Sequence, residues 1–442
     1  MTPPIAMTKP KLSLFWFRRD LRLHDNHGLS QALKGSEAVL PIFIFDQDIL
    51  EGLKDKADKR VAFIHHALSD IHATLKENGS SLYILHDTPL LAFEKLAEKF
   101  DITSVYANHD YEPYAIGRDA EVKKFLQTKG IVFHTFKDQV IFERNEVVKA
   151  DGSPYTIFTP FSKIWKEKYA DQKKVNYPSE KHLNNLYQIK QLPFPSLRQL
   201  GFEEVTLDIP SVTPDKSTIQ HYDETRNLPY VNGTSKMSVH LRFGTVSVRE
   251  LAAKAAQWNV QWLNELIWRE FFMMILWHFP KVITESFKAK YDRIPWRNNE
   301  VEFKKWCAGE TGYPMVDAGM REINATGLMH NRVRMVVASF LTKHLLIDWR
   351  WGEAYFAEKL LDYELSSNNG NWQWCAGCGC DAAPYFRIFN PSEQQKKFDP
   401  DMIYIRKWIK NYRPGYLEPI VDHDFARKRV LDVFKAALNE AQ

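Results

Sequence analysis

"AVLPIFIFD", residues 38–46, decides the fold class. It is apolar almost throughout, without the in-out alternation of a half-buried strand, so a strand here must be covered on both faces. Working outward, "LSLFWF" (12–17), "SLYILHD" (81–87), "ITSVYANHD" (102–110) and "IVFHTF" (131–136) repeat the theme. Helix-like stretches lie between them, among them "HGLSQAL" (27–33) and an amphipathic run from about Arg60 to Glu77. Buried strands alternating with helices need crossover connections, which make a parallel sheet with helices on both sides. The expectation is an α/β, Rossmann-like domain over residues 11–135.

Residues 136–218 are expected to be an interdomain linker. Its later part, "QKKVNYPSEKHLNNLYQIKQLPFPSLRQLGFEEVTLDIPSVTPDKS", holds five prolines and few periodic apolar positions, as a connector over the surface would. From 219 to 442 helical periodicity dominates, so an all-α domain follows. Among 442 residues, 44% are hydrophobic and 26% charged, with a net charge of +4: an ordinary soluble composition that permits a polyanionic partner without requiring one. The opening "MTPPIAMTKPKLS" has no apolar leader segment, and no stretch approaches a membrane span. Four cysteines in so long a chain suggest a reducing compartment, with the cytoplasm as the expected location. Thirteen tryptophans call for a large aromatic core or an aromatic binding site.

Several motifs carry chemistry. "WLNELIWREFFMMILWHF" (262–279) is apolar around nearly its whole circumference and reads as a buried helix. Glu265 and Arg269 stand i,i+4 on it and form a candidate ion pair, while Trp268 and Phe272 share the sector of Glu265. A carboxylate in such company is either paired or used. "NGTSKMS" (232–238) sets a glycine before hydroxyls and a lysine, which suits either a phosphate or a helix N-cap. "GLMHNRVRMVVASFL" (327–341) reads as a helix opening after Gly327, with Asn331 and Met335 on one face. Arg334 points elsewhere and needs an anion, for which Asp362 or Glu364 is available.

"NNGNWQWCAGCGCDAAPYFR" (368–387) looks like three kinds of site at once. Its C-x2-C-x-C lacks a fourth ligand for tetrahedral zinc, since Cys307 is distant in sequence, so no metal is expected. Its G-x-G-x-x-A lacks the preceding strand, and Pro384 follows at once, so the dinucleotide match is accidental. What remains is Trp372 and Trp374 among asparagines, glycines and small residues that let something flat approach.

Together, "LFWFRRDLRLHDNHGL", "GTSKMS", "WLNELIWREFF", "TGYPMVDAGMREINATGLMHNRVRM" and "NNGNWQW…DAAPYFRIFNP" resemble the photolyase/cryptochrome family, most closely its class I cyclobutane pyrimidine dimer (CPD) photolyases. The resemblance runs from about Ser13 to about residue 410. It implies an α/β antenna domain, a linker and an all-helical FAD domain, with FAD active in its reduced form, FADH⁻. It also implies an enzyme, a deoxyribodipyrimidine photo-lyase, working as a monomer on UV-damaged DNA that contains pyrimidine dimers.

The resemblance assigns residues as well. Tyr222, Thr234, Ser235, Lys236, Met237, Ser238 and Trp262 would hold FAD, together with Arg334, Asp362, Glu364 and Asn368, the last opposite flavin N5. Trp372, Trp349 and Trp296 would carry electrons to the flavin. Glu265, Trp268, Asn331, Met335 and Trp374 would line the pocket for a flipped-out dimer. Arg226, Arg269, Arg332 and Arg387 would meet DNA. Tyr114 and Ala115 stand where folate-bearing members have an Asn–Glu pair, so methenyltetrahydrofolate, a deazaflavin, a flavin or an empty antenna cleft all stay open. A cryptochrome photoreceptor is the alternative, disfavoured by Asn368 in place of an acid or cysteine. A (6-4) photolyase would carry histidines at Asn331 and Met335.

Overall fold

The computed structural model describes residues 9–172 and 175–439; the first eight residues of the opening stretch and the last three of the expected helical domain lie outside the described residues. Five strands form: β1 (Lys11–Phe17), β2 (Val39–Asp46), β3 (Tyr83–Asp87), β4 (Asp101–Asn108) and β5 (Val132–Phe136). They pair in parallel in the order β3-β2-β1-β4-β5. Leu14 stands beside Leu40 and Trp16 beside Ile42, so one face of β1 and β2 presents aliphatic groups and an indole together. That face packs on Phe93 and Leu96 of the Pro89–Lys99 helix. The opposite face carries Phe15 and Phe17, with ring centroids 4.6 Å apart, and Phe43 and Phe45, 4.9 Å apart, all buried. Covering both faces is what the unbroken apolar runs required.

The amphipathic run expected near Arg60–Glu77 is the Lys59–Glu77 helix. Asp58 caps it, accepting the N–H of Arg60 at 2.8 Å. Past the carboxyl ends of the strands, buried Asp138 accepts two bonds from Arg22 Nη2 (2.8 and 2.7 Å) and one from Arg249 Nη2 (2.9 Å). Burial alone would raise this carboxyl; the two guanidiniums outweigh it and hold the pKa at about 2. Tyr114 is 45% exposed and donates its hydroxyl to Asp46 Oδ2 at 2.7 Å, while Ala115 is buried.

The chain forms two compact units whose segments interleave. One comprises Met1–Ile141, Lys173–Val212 and Met237–Ala253; the other comprises Phe142–Gln172, Thr213–Lys236 and Lys254–Gln442. This corrects the expected linker over 136–218. Its later part is packed within the α/β unit: Tyr187 donates its N–H to Val39 O (2.8 Å), and Ser179 and Leu186 are buried. Its earlier part contains the Phe158–Asp171 helix, which belongs to the helical unit. There Trp165 Nε1 donates to the buried Glu270 carboxylate at 2.5 Å, and the Phe161 and Phe271 rings lie 5.3 Å apart. Proline content marked that segment as irregular, whereas aromatic contacts with a partner a hundred residues away decided its place.

In the helical unit, Val260–His278 starts at Asn259, whose Oδ1 accepts the N–H of Gln261 (2.8 Å) and Trp262 (3.2 Å). Gly327, at φ 76°, ends Pro314–Thr326, and the next helix runs Asn331–Ser339. Trp349–Lys359 and Leu365–Ala376 follow and pack on each other, and Leu365–Ala376 packs on Val260–His278. Gly370 makes the last approach possible, since a Cβ there would stand 2.2 Å from the Phe272 ring. Among the described residues, every named strand lies within 11–136.

Candidate active site

Glu265 and Trp268 project from Val260–His278. The carboxylate of Glu265 pairs with Arg226 and accepts from Gln261 Nε2 at 3.2 Å. The expected pair with Arg269 is therefore corrected. Arg269 turns inward, with Nε 3.7 Å from Glu364 Oε2 and side chains only 10% and 7% exposed. Helical spacing put the two groups within reach but could not say which way each would turn. The same geometry removes Arg269 from the exposed arginines. Of the two acids available to Arg334, Asp362 is taken: Nη2 donates to its oxygens at 2.9 and 3.1 Å, and Nε donates to Met329 O at 2.8 Å.

Asn368 is buried and oriented. Its Nδ2 donates to Glu353 Oε1 (2.8 Å) and Glu353 O (3.1 Å), which turns the amide oxygen to the opposite side. Burial raises the Glu353 carboxyl pKa, and the Asn368 bond opposes that rise. Tyr222 lies beneath Arg226, 5.8 Å from its ring centroid, and burial raises its phenol pKa, with Glu265 adding to the rise. Trp262 is buried on the first turn of Val260–His278. The loop at 232–236 owes its shape to Gly233, where a Cβ would lie 2.6 Å from Thr225, and to Lys236 at φ 54°. Thr234, Ser235 and Lys236 follow in this unit; Met237 and Ser238 begin the Met237–Ala253 segment of the α/β unit. Hydroxyls, an ammonium and a tightly turned backbone are a donor set suited to a dinucleotide's diphosphate. An oriented Asn acceptor and an Arg–Asp bridge suit a flavin ring.

Trp372 sits directly on backbone: a Cβ at Gly352 would stand 2.1 Å from its ring. Phe356 meets it edge-on at 5.0 Å, and Trp306, which the sequence reading did not single out, at 6.1 Å. Trp349 is buried at the start of the helix that carries Gly352. Half-buried Trp296 is brought beside that start by two bonds from its own loop, Arg297 N–H to Leu346 O (2.8 Å) and Asn298 Oδ1 from Asp348 N–H (2.9 Å).

Asn331 and Met335 share a face, with Nδ2 3.9 Å from the sulfur, and Trp374 is half-buried. Arg332 lies over the Phe398 ring (4.4 Å) and donates from Nη2 to Asn227 Oδ1 at 2.7 Å, next in sequence to Arg226. Burial lowers its pKa, and the nearby charges of Arg226 and Arg387 lower it further. Arg387 is exposed. Phe158, Glu353 and Trp306 complete the neighbourhood and were not singled out from sequence. The aromatic spacing Phe158–Phe161–Trp165 was the available signal for the first.

The cysteines behave as packing groups. Cys378 and Cys380 are buried and Cys375 half-buried, and burial pushes all three thiols up to about 12. Among the described residues no group of three or more His, Cys, Asp or Glu has metal-holding geometry. Elemental analysis of purified protein should find no stoichiometric zinc; one zinc per chain, lost in Cys375→Ala/Cys378→Ala, would contradict this reading.

Comparison with known proteins bears on all of this. Residues 13–179 match the DNA photolyase family model, and residues 262–414 match that of the FAD binding domain of DNA photolyase. The deoxyribodipyrimidine photo-lyase of Halobacterium salinarum is 35% identical, over 96% of this chain and 99% of that protein. An archaeal photolyase from Sulfolobus tokodaii, solved with two FAD molecules, superposes with a TM-score of 0.82 at 32% identity, over 96% of this chain and 99% of the other. A Synechocystis sp. cryptochrome superposes at 0.81 with 26% identity, over 96% and 99%. A match of this extent, over both the parallel sheet and the helices that gather the tryptophans and arginines, makes the chain a member of the DNA photolyase family.

Proposed function

We propose that this chain is a deoxyribodipyrimidine photo-lyase that splits cyclobutane pyrimidine dimers in DNA under blue light. The observation that carries the proposal is the gathering of Arg332 with Arg226 and Arg387, with Arg226 paired to Glu265 on the helix of Trp268. Arg332 is joined to Asn227 at 2.7 Å and kept among like charges. Cations held together against their own repulsion suit a polyanion, and the half-buried indoles with the exposed Asn331 amide suit a base turned out of its stack. A dimer is already poorly stacked, so turning it out costs only a few kcal/mol.

Reduced FAD, when bound and excited by blue light, supplies the electron that opens the cyclobutane ring and then recovers it. The chain's own residues bind and orient. Thr234, Ser235 and Lys236 would take the diphosphate, with Tyr222 and Trp262 in the same unit. The Arg334–Asp362 bridge and Asn368, its amide turned by Glu353, would hold the ring system. Glu364 takes part by fixing Arg269. Trp268 and Trp374 stack on or wall the pyrimidines, at roughly 1–3 kcal/mol per base. Asn331 and Met335 complete the pocket, and Glu265 accepts an N–H of the base while holding Arg226, whose positive charge steadies the charge added to the dimer. The protein works as a monomer in the cytoplasm; no helix among the described residues is long and apolar enough to cross a membrane.

The DNA face has its own test. Arg332→Ala should weaken binding to damaged and undamaged duplex alike and reduce the salt slope by about one unit, as loss of one phosphate contact requires. Because Arg332 also lies over Phe398, flavin content and melting temperature are measured alongside. An unchanged slope in a folded variant takes Arg332 off the DNA face.

A further inference from the structure

Trp268 is not a free-standing platform. The Phe158 ring lies flat against it, with centroids 3.6 Å apart and planes within 3°. Phe271 meets the indole edge-on at 5.6 Å, and Phe272 lies at 5.5 Å and 29°. One face of the indole thus carries a stacked ring, which restricts its freedom to turn about its side-chain bonds.

The helix that begins at Phe158 is held at its start and along its first two turns. No side chain caps Phe158–Asp171 from Ile157; instead Asp381, in the turn after Cys380, accepts the N–H of Phe158 on Oδ2 at 3.1 Å. Asp381 sits at φ 47°, a left-handed backbone that short polar residues tolerate. One turn into the helix, Phe161 packs on Phe271, and farther along, Trp165 bonds buried Glu270. Both stacked rings are only half-buried, and neighbouring Ile157 is 52% exposed. A contact this well formed at a rim contributes less to a core than to the placement of the ring it touches.

We propose that Phe158, capped by Asp381, is a positioning residue for lesion recognition: it fixes the indole of Trp268 so that a turned-out dimer meets a rigid wall. The inference rests on the lesion-pocket reading of Trp268. A wall that is already ordered costs no further side-chain entropy when the lesion arrives, and that saving applies to the lesion alone. Undamaged duplex, held through its phosphates, gains nothing from it.

The test measures dissociation constants for dimer-bearing and undamaged duplex, with flavin content and melting temperature, on the full chain loaded with FAD. Phe158→Leu removes the flat face, and its ratio of damaged to undamaged affinity should fall about tenfold, toward the lower end of what one stacking contact contributes. Phe158→Tyr keeps the ring and should retain the ratio. Asp381→Gly accepts the left-handed backbone but removes the cap, and should lower the ratio part-way; Asp381→Asn keeps an acceptor and should lower it less. An unchanged ratio in folded Phe158→Leu overturns the proposal and leaves Phe158 a packing residue. If Phe158→Leu does not fold, an unchanged ratio in Asp381→Gly overturns it instead. Failure of the unsubstituted protein to discriminate between the duplexes sinks the lesion-pocket reading, a distinct outcome from failure of any variant.

Discussion

Trp372→Phe should bind its full complement of FAD and yet lose photoreduction under blue light with a thiol donor. The substitution introduces no clash: a phenyl ring lacks the distal indole carbons that meet Gly352, leaving a small buried gap, and Phe356 stays at its side. What changes is chemical. A phenyl ring is much harder to oxidise than an indole, and an added barrier of about 1.4 kcal/mol already slows a step tenfold. Trp306 offers no detour, because its ring contact with the proposed relay is with Trp372 itself. Absorbance of the oxidised flavin, followed under illumination, checks this. Photoreduction at the unsubstituted rate would dismantle the Trp372–Trp349–Trp296 assignment.

Glu265→Gln should separate binding from chemistry. Glu265 and its partner Arg226 are 35% and 29% exposed, and a pair so open to solvent contributes about 0–1 kcal/mol. Melting temperature should therefore move little, and flavin content should stay complete. Gln keeps the length of the side chain and an oxygen for Gln261. It cannot hold Arg226 as a charged partner, so that guanidinium becomes more available to phosphate, and affinity for undamaged duplex should hold or rise. Repair per absorbed photon should fall severalfold, because Arg226 loses the carboxylate that holds its positive charge beside the dimer. Thermal melting, flavin content and repair yield on one preparation test this together. Full yield with lowered stability would make Glu265 structural.

The central strands were readable because burial on both faces leaves an unbroken apolar signature in "AVLPIFIFD" and "LSLFWF". The order β3-β2-β1-β4-β5 left no such mark, since each crossover helix permits more than one neighbour. Trp268, Asn331 and Arg334 were placed on helices by spacing, yet spacing gives a face and not a partner. Arg269 shows the limit: Glu265 lay one turn away, and Glu364, far along the chain, took the contact. Phe158 was hidden for a related reason. Its segment reads as a connector, and its role exists only through Trp268 and Asp381, each more than a hundred residues distant. Glu353 escaped notice because a carboxyl whose part is to turn an amide looks, in sequence, like any surface acid.

Blue-light repair of an oligonucleotide carrying a single thymine dimer, by protein whose flavin has been reduced beforehand, tests the central claim most directly. Expected is return of the two thymines under illumination, none in the dark, and loss of the reaction when the flavin is removed. Intact dimer after illumination, with reduced flavin fully bound and the lesion shown to be occupied, would contradict the repair reading and favour a photoreceptor built on the same fold.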